Sequence, residues 1–426
     1  MSMSAEHHLS KTDAFLLRHG MDAKPIPAVA TAFVQEMERG LAGEPSSLDM
    51  IPTYLSAGIP VLGRRAAVVD AGGTNFRASR VFFGEKGPEL EYVERAPMPG
   101  TESPVSWEEF IEFSARKIIR VMEGCSSIGF CFSFRADITP ERDGRVILMS
   151  KGVQISGYEG RYICADLREA LRRMGAKELP SVLVNDTAAV LLSGTGLLMS
   201  EGYDSLIGLV CGTGQNTCCT LDISRIGKLG APGGQNMLVN LESGCFSLIE
   251  PGDFDRELDA ASVNPGDHVF EKMTSGAYLG ELCRLTLKGA AREGLLSDEG
   301  AERVHSIATL SSADADMMAS VAPKLYGRRD GCVVRDICRA VFSRAARYVC
   351  ANIAAILILT DKGKDPEHPA CVCADGSVVR HSRVFSSELR HYMDSSLRAV
   401  LGRHCVLHTL EEATTLGTAS AALLNT

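Results

Sequence analysis

The chain has 426 residues, 45% hydrophobic and 23% charged, so neither disorder nor a coiled coil is its dominant state and two or three folded domains are expected. Lysine and arginine number 44 against 53 acidic residues, a net charge of −9 that no basic block interrupts. A nucleic-acid or anionic-membrane surface is therefore not expected, although an anionic nucleotide can still bind at a local positive site.

The spacing of Phe15, Leu16, Phe33, Val34 and Met37 predicts one amphipathic helix over 12–40, stopped by Gly40 and Gly43. Strands are predicted over 66–70 and 76–83, joined by a turn through Gly72 and Gly73. A helix over 105–123 then leads to a buried strand over 127–134, a turn at 140–144, a strand over 145–149 and a helix over 167–174. The next strand, 181–184, ends at Asn185-Asp186-Thr187, where Asp186 or Thr187 is expected to cap a helix starting at Ala188. Strands over 205–211 and 216–222 flank Gly212-Thr213-Gly214 and repeat the earlier strand, glycine turn, strand unit. Helices over 269–284 and 335–358, a strand over 370–374 and a helix over 418–423 complete an α/β chain of two lobes.

The longest apolar runs, such as 353–360, fall short of the roughly 20 residues that cross a bilayer, so no membrane partner is expected. The polar start, 1–11, lacks the basic and then apolar pattern of a signal peptide. The mature chain is thus expected to begin near residue 1. The fourteen cysteines show no CxxC pair and no framework spacing, which predicts free thiols in a reducing cytoplasm.

Several segments carry chemistry. In DAGGTNFR, 70–77, glycines let backbone amides approach phosphate oxygens, Asp70 can hold a metal and Thr74 can bond a phosphate; a plain hairpin turn is the alternative. The motif GxxxxGK[ST] is absent, and the turn after Gly212 lacks the third glycine of GxGxxG, which disfavours Walker ATPases and dinucleotide folds. His404, Cys405 and His408 are metal-ligand residue types, but without a second pair no zinc is expected there. The sequon Asn185-Asp186-Thr187 is not expected to be glycosylated.

DAGGTNFR at 70–77, IGFCFSF at 128–134, VNDT at 184–187, IGLVCGTGQN at 207–216, VNLE at 239–242 and NPGDHVFEKM at 264–273 resemble the eukaryotic-type hexokinase family in order and spacing. The segments 33–41, 51–54, 275–281 and 375–377 extend the resemblance over nearly the whole chain. It implies an α/β, two-lobed actin-like ATPase (ribonuclease H-like) fold, each lobe a mixed sheet flanked by helices with a cleft between them. The implied small lobe is 62–184 plus 412–426, and the large lobe 1–61 plus 185–411. The implied activity is transfer of the γ-phosphoryl of ATP, with magnesium, to the 6-hydroxyl of a hexose at the first step of glycolysis. Glucose is the first expected substrate, with mannose or fructose besides, and the protein a monomer or homodimer.

Carried over motif by motif, the resemblance makes Asp186 the base that accepts the hydroxyl proton, with Lys151 as its catalytic companion. Ser133, Ser150, Lys151, Asn185, Asn216, Glu242 and Glu271 would bind sugar hydroxyls. Amides and carboxylates suit a polyol, because each is left unpaired and costly when its hydroxyl is missing. Gly212, Thr213, Asp375, Gly376 and Ser377 would contact the nucleotide, with Gly72, Gly73, Thr74, Asn75 and Arg77 near its phosphates and Asp70 positioning magnesium directly or through water. The chain departs from the family pattern at four places. Ser243 stands where a tryptophan usually follows the glutamate, Ser150 replaces a threonine, Arg135 replaces a proline, and 411–418 is not glycine-rich. The first predicts a roomier pocket edge and wider sugar tolerance. The chemistry-bearing set is nonetheless complete, so an active enzyme is expected over a catalytically weak hexose sensor or a chaperone-like ATPase.

Overall fold

Two mixed sheets of matching topology organise the chain. The computed structural model describes residues 9–149, 152–196 and 201–426. The strands of the two sheets are β1 (Ile51–Pro52), β2 (Arg64–Ala71), β3 (Asn75–Gly84), β4 (Gly87–Pro97), β5 (Ser127–Phe132), β6 (Ser181–Val184), β7 (Ser205–Cys211), β8 (Gln215–Asp222), β9 (Asn236–Asn240), β10 (Ala370–Asp375) and β11 (Cys405–Thr409). The first sheet has the order β6-β5-β2-β3-β4, the second β1-β9-β8-β7-β10-β11. In each, a hairpin adds two antiparallel strands on one side of the central strand, and two strands run parallel on the other.

Burial explains the strand sequences. All six residues of β5, SIGFCF, are buried, as expected of a parallel strand covered on both faces. β4 lies at an edge, and its Glu89, Glu91 and Glu94 mask the strand pattern, which is why the sequence did not reveal it.

The helices that position the site are α1 (Lys11–Arg18), α2 (Ile26–Ala42), α3 (Trp107–Ile119), α4 (Ile163–Arg173), α5 (Asp186–Ser193), α6 (Val269–Thr274), α7 (Gly276–Arg292), α8 (Arg328–Thr360) and α9 (Ala413–Leu424). The expected single helix over 12–40 is two, because Gly20 takes a left-handed φ of 62° and Pro25 and Pro27 restart the chain. The expected helix over 269–284 also divides. At Ser275 the backbone is extended, and the amides of Gly276 and Ala277 leave the helical ladder to bond the carbonyls of Gly212 and Thr213 at 2.7 and 3.2 Å.

Three buried clusters hold these layers: one around α2, α7 and α8, one under α3 and α4, and one between the two sheets. The third closes on α9, where a Cβ on Gly417 would lie 1.7 Å from the Ala189 carbonyl, so only glycine lets α9 touch α5. α8 is long and apolar enough to cross a membrane by length and composition, contrary to the expectation from its shorter apolar run. Yet 83% of its most apolar window is buried inside the protein, the burial of a core helix. None of the fourteen cysteines, all among the described residues, is in a disulfide, and eleven are buried.

One buried ion pair pins the large core. Arg344 Nη1 and Nη2 donate to the two oxygens of Asp255 at 2.7 and 2.6 Å, with side chains 1% and 4% exposed. An Asp255→Asn change leaves a buried guanidinium without its counter-charge and is expected to lower stability by about 3–5 kcal/mol. Urea unfolding followed by far-ultraviolet circular dichroism measures it, since the single tryptophan, Trp107, reports on the other core. A loss under about 1 kcal/mol contradicts the assignment.

Candidate active site

The sheet register delivers three polar side chains to one edge. Asp70 near the end of β2 pairs in register with Cys131 of β5, and Cys131 with Val184 of β6. Asp70, Ser133 and Asp186 therefore emerge from the carboxyl ends of three adjacent parallel strands, the place where α/β sheets expose binding groups. From the other sheet, Val210 of β7 pairs with Asp375 of β10. These ends enclose a cavity of about 260 Å³ lined by Asp70, Gly72, Gly73, Thr74, Asn75, Arg77, Ser133, Asp186, Val210, Asp375, Gly376 and Thr414. A larger hollow of about 420 Å³ between Met122, Cys125 and Lys177 has no comparable convergence of polar groups.

Asp70 is the most perturbed acid in the cavity. Burial pushes its carboxyl up to about 6, against the pull of Arg77, whose Nη1 lies 3.7 Å away, while the charges of Asp186 and Glu412 raise it further. Thr414 Oγ1 donates to Asp70 Oδ2 at 3.3 Å. A buried carboxylate with so little compensation suits a hard cation, and the oxygen donor is the type magnesium takes. The Asp70 to Arg77 hairpin is closed by the Gly72 amide bonding the Asn75 carbonyl at 3.1 Å, and Thr74 and Asn75 stand exposed at its tip. Arg77 also pairs with Glu412 at 3.1 Å, and Glu412 with Arg95 at 2.8 Å.

Asp186 opens α5, but the cap is Asn185. Its Oδ1 accepts from the Thr187 amide at 2.9 Å, so the expected cap by Asp186 or Thr187 is corrected. Asp186, half-buried, accepts a hydrogen bond from Thr187 Oγ1 at 3.1 Å.

Beyond Asp186 lies a cluster of amides and carboxylates. Asn216 Nδ2 donates to Asn240 Oδ1 at 2.8 Å and to Glu242 Oε1 at 3.1 Å, and Asn240 Nδ2 donates to Glu242 Oε1 at 2.6 Å. Burial raises the Glu242 carboxyl, opposed by the Asn240 hydrogen bond, while Asp186 and Asp49 add to the rise and His268 opposes it. Glu242 has a left-handed φ of 57°, a backbone strain of the kind that collects at functional sites. Glu271 Oε2 accepts from the Gln215 amide at 3.0 Å, and a Cβ on Gly214 would come within 2.7 Å of that oxygen. Asn240 is a member that the sequence reading missed; a buried asparagine in a β-strand segment, two residues before Glu242, was the available signal.

The glycine turns of the two strands β7 and β10 meet. A Cβ on Gly376 would lie 2.6 Å from the Gly212 amide nitrogen, and Gly376 itself has a φ of 114°. Thr213 and Ser377 are exposed beside this contact. Asp375 accepts from its own loop at Gly376 N, 2.7 Å, and from Arg380 Nε, 2.6 Å, so its carboxylate holds the loop in place. Ser150 and Lys151 lie outside the described residues. His408, one of the three residues of the discounted metal set, meets Tyr203 Oη at 2.8 Å.

Ser243 does not edge the pocket. The turn at Glu242 drives it inward, where it is fully buried, donates to Gln215 Oε1 at 3.1 Å and accepts from Thr217 Oγ1 at 3.1 Å. The expected roomier pocket edge is corrected on that ground. A Ser243→Trp change is expected to overpack this core and destabilise by about 1–3 kcal/mol or more, read as a fall in Tm. An unchanged Tm with altered sugar ratios would restore Ser243 to the pocket edge.

Family models described as hexokinase match residues 11–195 and 206–424. Hexokinase-2, chloroplastic, of Nicotiana tabacum is 30% identical over 95% of this chain and 88% of its own length. Hexokinase-1 of the same plant is 31% identical, over 89% and 83%. Among solved structures, a hexokinase from Schistosoma mansoni complexed with glucose superposes with a TM-score of 0.76 at 22% identity, covering 97% of this chain and 98% of that one. A ROK family glucokinase from Streptomyces griseus reaches 0.51 at 17% identity, over 84% and 99%. These structures show the two-lobed actin-like ATPase fold. Because the family models together run from residue 11 to residue 424, and the relatives align over most of both chains, the chain belongs to the hexokinase family.

Proposed function

We propose that the chain is an active hexokinase, transferring the γ-phosphoryl of ATP to the 6-hydroxyl of glucose and of other hexoses at the entry to glycolysis, in the cytoplasm. The observation that carries this reading is the position of Asp186. Its carboxylate lines the glycine-edged cavity on one side and acts electrostatically on Glu242 of the amide–carboxylate cluster on the other. A hydroxyl held by that cluster and a phosphate held in the cavity meet at the one carboxylate.

In this reading the sugar replaces contacts that Asn216, Asn240 and Glu242 now make with one another, so each hydroxyl gained is matched by a hydrogen bond already aligned. Asp186 accepts the proton of the attacking hydroxyl. The cavity-lining side chains of Thr74 and Asn75 and the guanidinium of Arg77 face the phosphates in this reading, which suits a transfer that depends on positioning and charge stabilisation. Asp70 would hold magnesium, which when bound neutralises charge on the phosphates.

One observation favours a second reading, the weak hexose sensor. Glu412 occupies Arg77 and Arg95 with its own carboxylate, where an incoming phosphate would compete for the same cations. ADP formation from ATP and magnesium, assayed with glucose, mannose, fructose and 2-deoxyglucose, separates the two. Turnover with at least one hexose supports the enzyme, whereas tight sugar binding with no ADP supports the sensor.

A further inference from the structure

Cys245, Asp267 and His268 gather beside the proposed sugar ligands without belonging to them. A thiol sulfur, a carboxylate oxygen and a ring nitrogen from these three lie within 4.8 Å of one another. Two segments deliver them. Cys245 ends the short turn Ser243–Cys245 that follows Glu242, its amide donating to the Glu242 carbonyl at 3.0 Å. Asp267 and His268 end the loop before α6, the helix that carries Glu271, and the His268 carbonyl accepts the Lys272 amide at 3.0 Å.

Asp267 and His268 face each other at ion-pair distance. His268 Nδ1 stands 2.9 Å from Asp267 Oδ2, yet that nitrogen is buried and has no hydrogen-bond partner in suitable alignment. A thiol, a carboxylate and an imidazole nitrogen brought together from two segments is the arrangement of ligands to one cation. The other Asp267 oxygen accepts the His268 amide at 2.9 Å, which fixes the carboxylate, and His268 is held at a φ of 51°. The Asp267 and His268 side chains are 59% and 37% exposed, so solvent gives a metal its entry path.

We propose that Cys245, Asp267 and His268 bind one zinc ion, and that its occupancy weakens hexose binding. Thiolate, imidazole and carboxylate together suit zinc and not magnesium or calcium, and three protein ligands leave a fourth position for water. A tetrahedral centre with bonds of about 2.0–2.3 Å holds its donors roughly 3.3–3.8 Å apart, so small side-chain rotations complete the site. The thiol proton passes to solvent as the metal binds. The ion ties the Glu242 segment to α6 and places positive charge where Glu242 and Glu271 already act on Cys245. Glu242 and Glu271 are then less free to close on a sugar, and by linkage the sugar weakens the metal to the same degree. The metal site stands without the sugar reading; the coupling rests on it.

Cobalt serves as a coloured probe for zinc on the full chain, freed of metal. One equivalent of cobalt is expected to give thiolate-to-metal charge-transfer absorption that zinc abolishes. Cys245→Ser should lose that band, and His268→Gln should weaken cobalt binding by at least ~10–100-fold. Calorimetry should then show glucose binding weakened about 5-fold or more by one equivalent of zinc in the native chain, and unchanged by zinc in Cys245→Ser. A charge-transfer band that survives in both variants, as from another thiol, overturns the site. Loss of the band in the variants with no effect of zinc on glucose binding overturns the coupling and keeps the site. No glucose binding with the band intact overturns the sugar reading and, with it, the coupling.

Discussion

An Asp186→Asn variant is expected to bind glucose as the native chain does and to lose turnover by ~10²–10⁴-fold or more, the scale for removing a positioned base. Asparagine keeps the side-chain length and the oxygen that accepts from Thr187 Oγ1, and the Asn185 cap on α5 does not involve Asp186. The fold and the sugar cluster are thus preserved while the proton acceptor is gone. Calorimetry for glucose and steady-state kinetics on the same preparation separate the two effects. A variant with near-native kcat removes Asp186 from the proton transfer, and a variant that loses glucose binding instead makes it a sugar ligand only.

An Asp70→Asn variant is expected to be more stable than the native chain at pH 8 and nearly inactive. Burial, the largest cause, pushes the folded Asp70 carboxyl up to about 6 from its ordinary 3.8. Between those values the folded state binds the proton that the unfolded state has released, so stability falls as pH rises through the interval. Above pH 6 the full cost is present, on the order of 2–3 kcal/mol. Asparagine removes that cost, so its gain in Tm should be largest at pH 8 and should vanish toward pH 4. The same change removes the anchor proposed for magnesium, with an expected loss of ~10²–10³-fold in kcat. No gain in Tm at pH 8 would mean that Arg77 already compensates the buried charge. Both results together would mark a site that keeps an unfavourable carboxylate for its chemistry.

The sequence carries the parts of this fold that repeat or punctuate. The two strand, glycine turn, strand units at Asp70 and Gly212 are legible because buried strands read as apolar runs and their turns as glycines. They mark the centres of two sheets with one topology. Less visible are β4, whose glutamates interrupt the apolar pattern at an edge, and the break at Ser275, which is set by contacts with Gly212 and Thr213, whereas the break at Gly20 is marked by Gly20, Pro25 and Pro27 but masked by the apolar spacing on either side. Within the site, strand ends place Asp70, Ser133 and Asp186 together, and no local pattern shows that. The inward turn of Ser243 depends on the left-handed backbone at Glu242, which a residue other than glycine does not announce. Glu412 was visible only as a missing glycine, and its pairing with Arg77 and Arg95 needs chain neighbours more than 300 residues apart.

The central claim is that this chain phosphorylates a hexose at its 6-hydroxyl with Asp186 as base. Incubation of the native chain with glucose, ATP and magnesium, followed by phosphorus NMR of the products, tests it most directly. The expected result is glucose 6-phosphate and ADP in equal amounts, with neither formed by Asp186→Asn. ADP released together with inorganic phosphate and no sugar phosphate, or no ADP at saturating glucose, would contradict it.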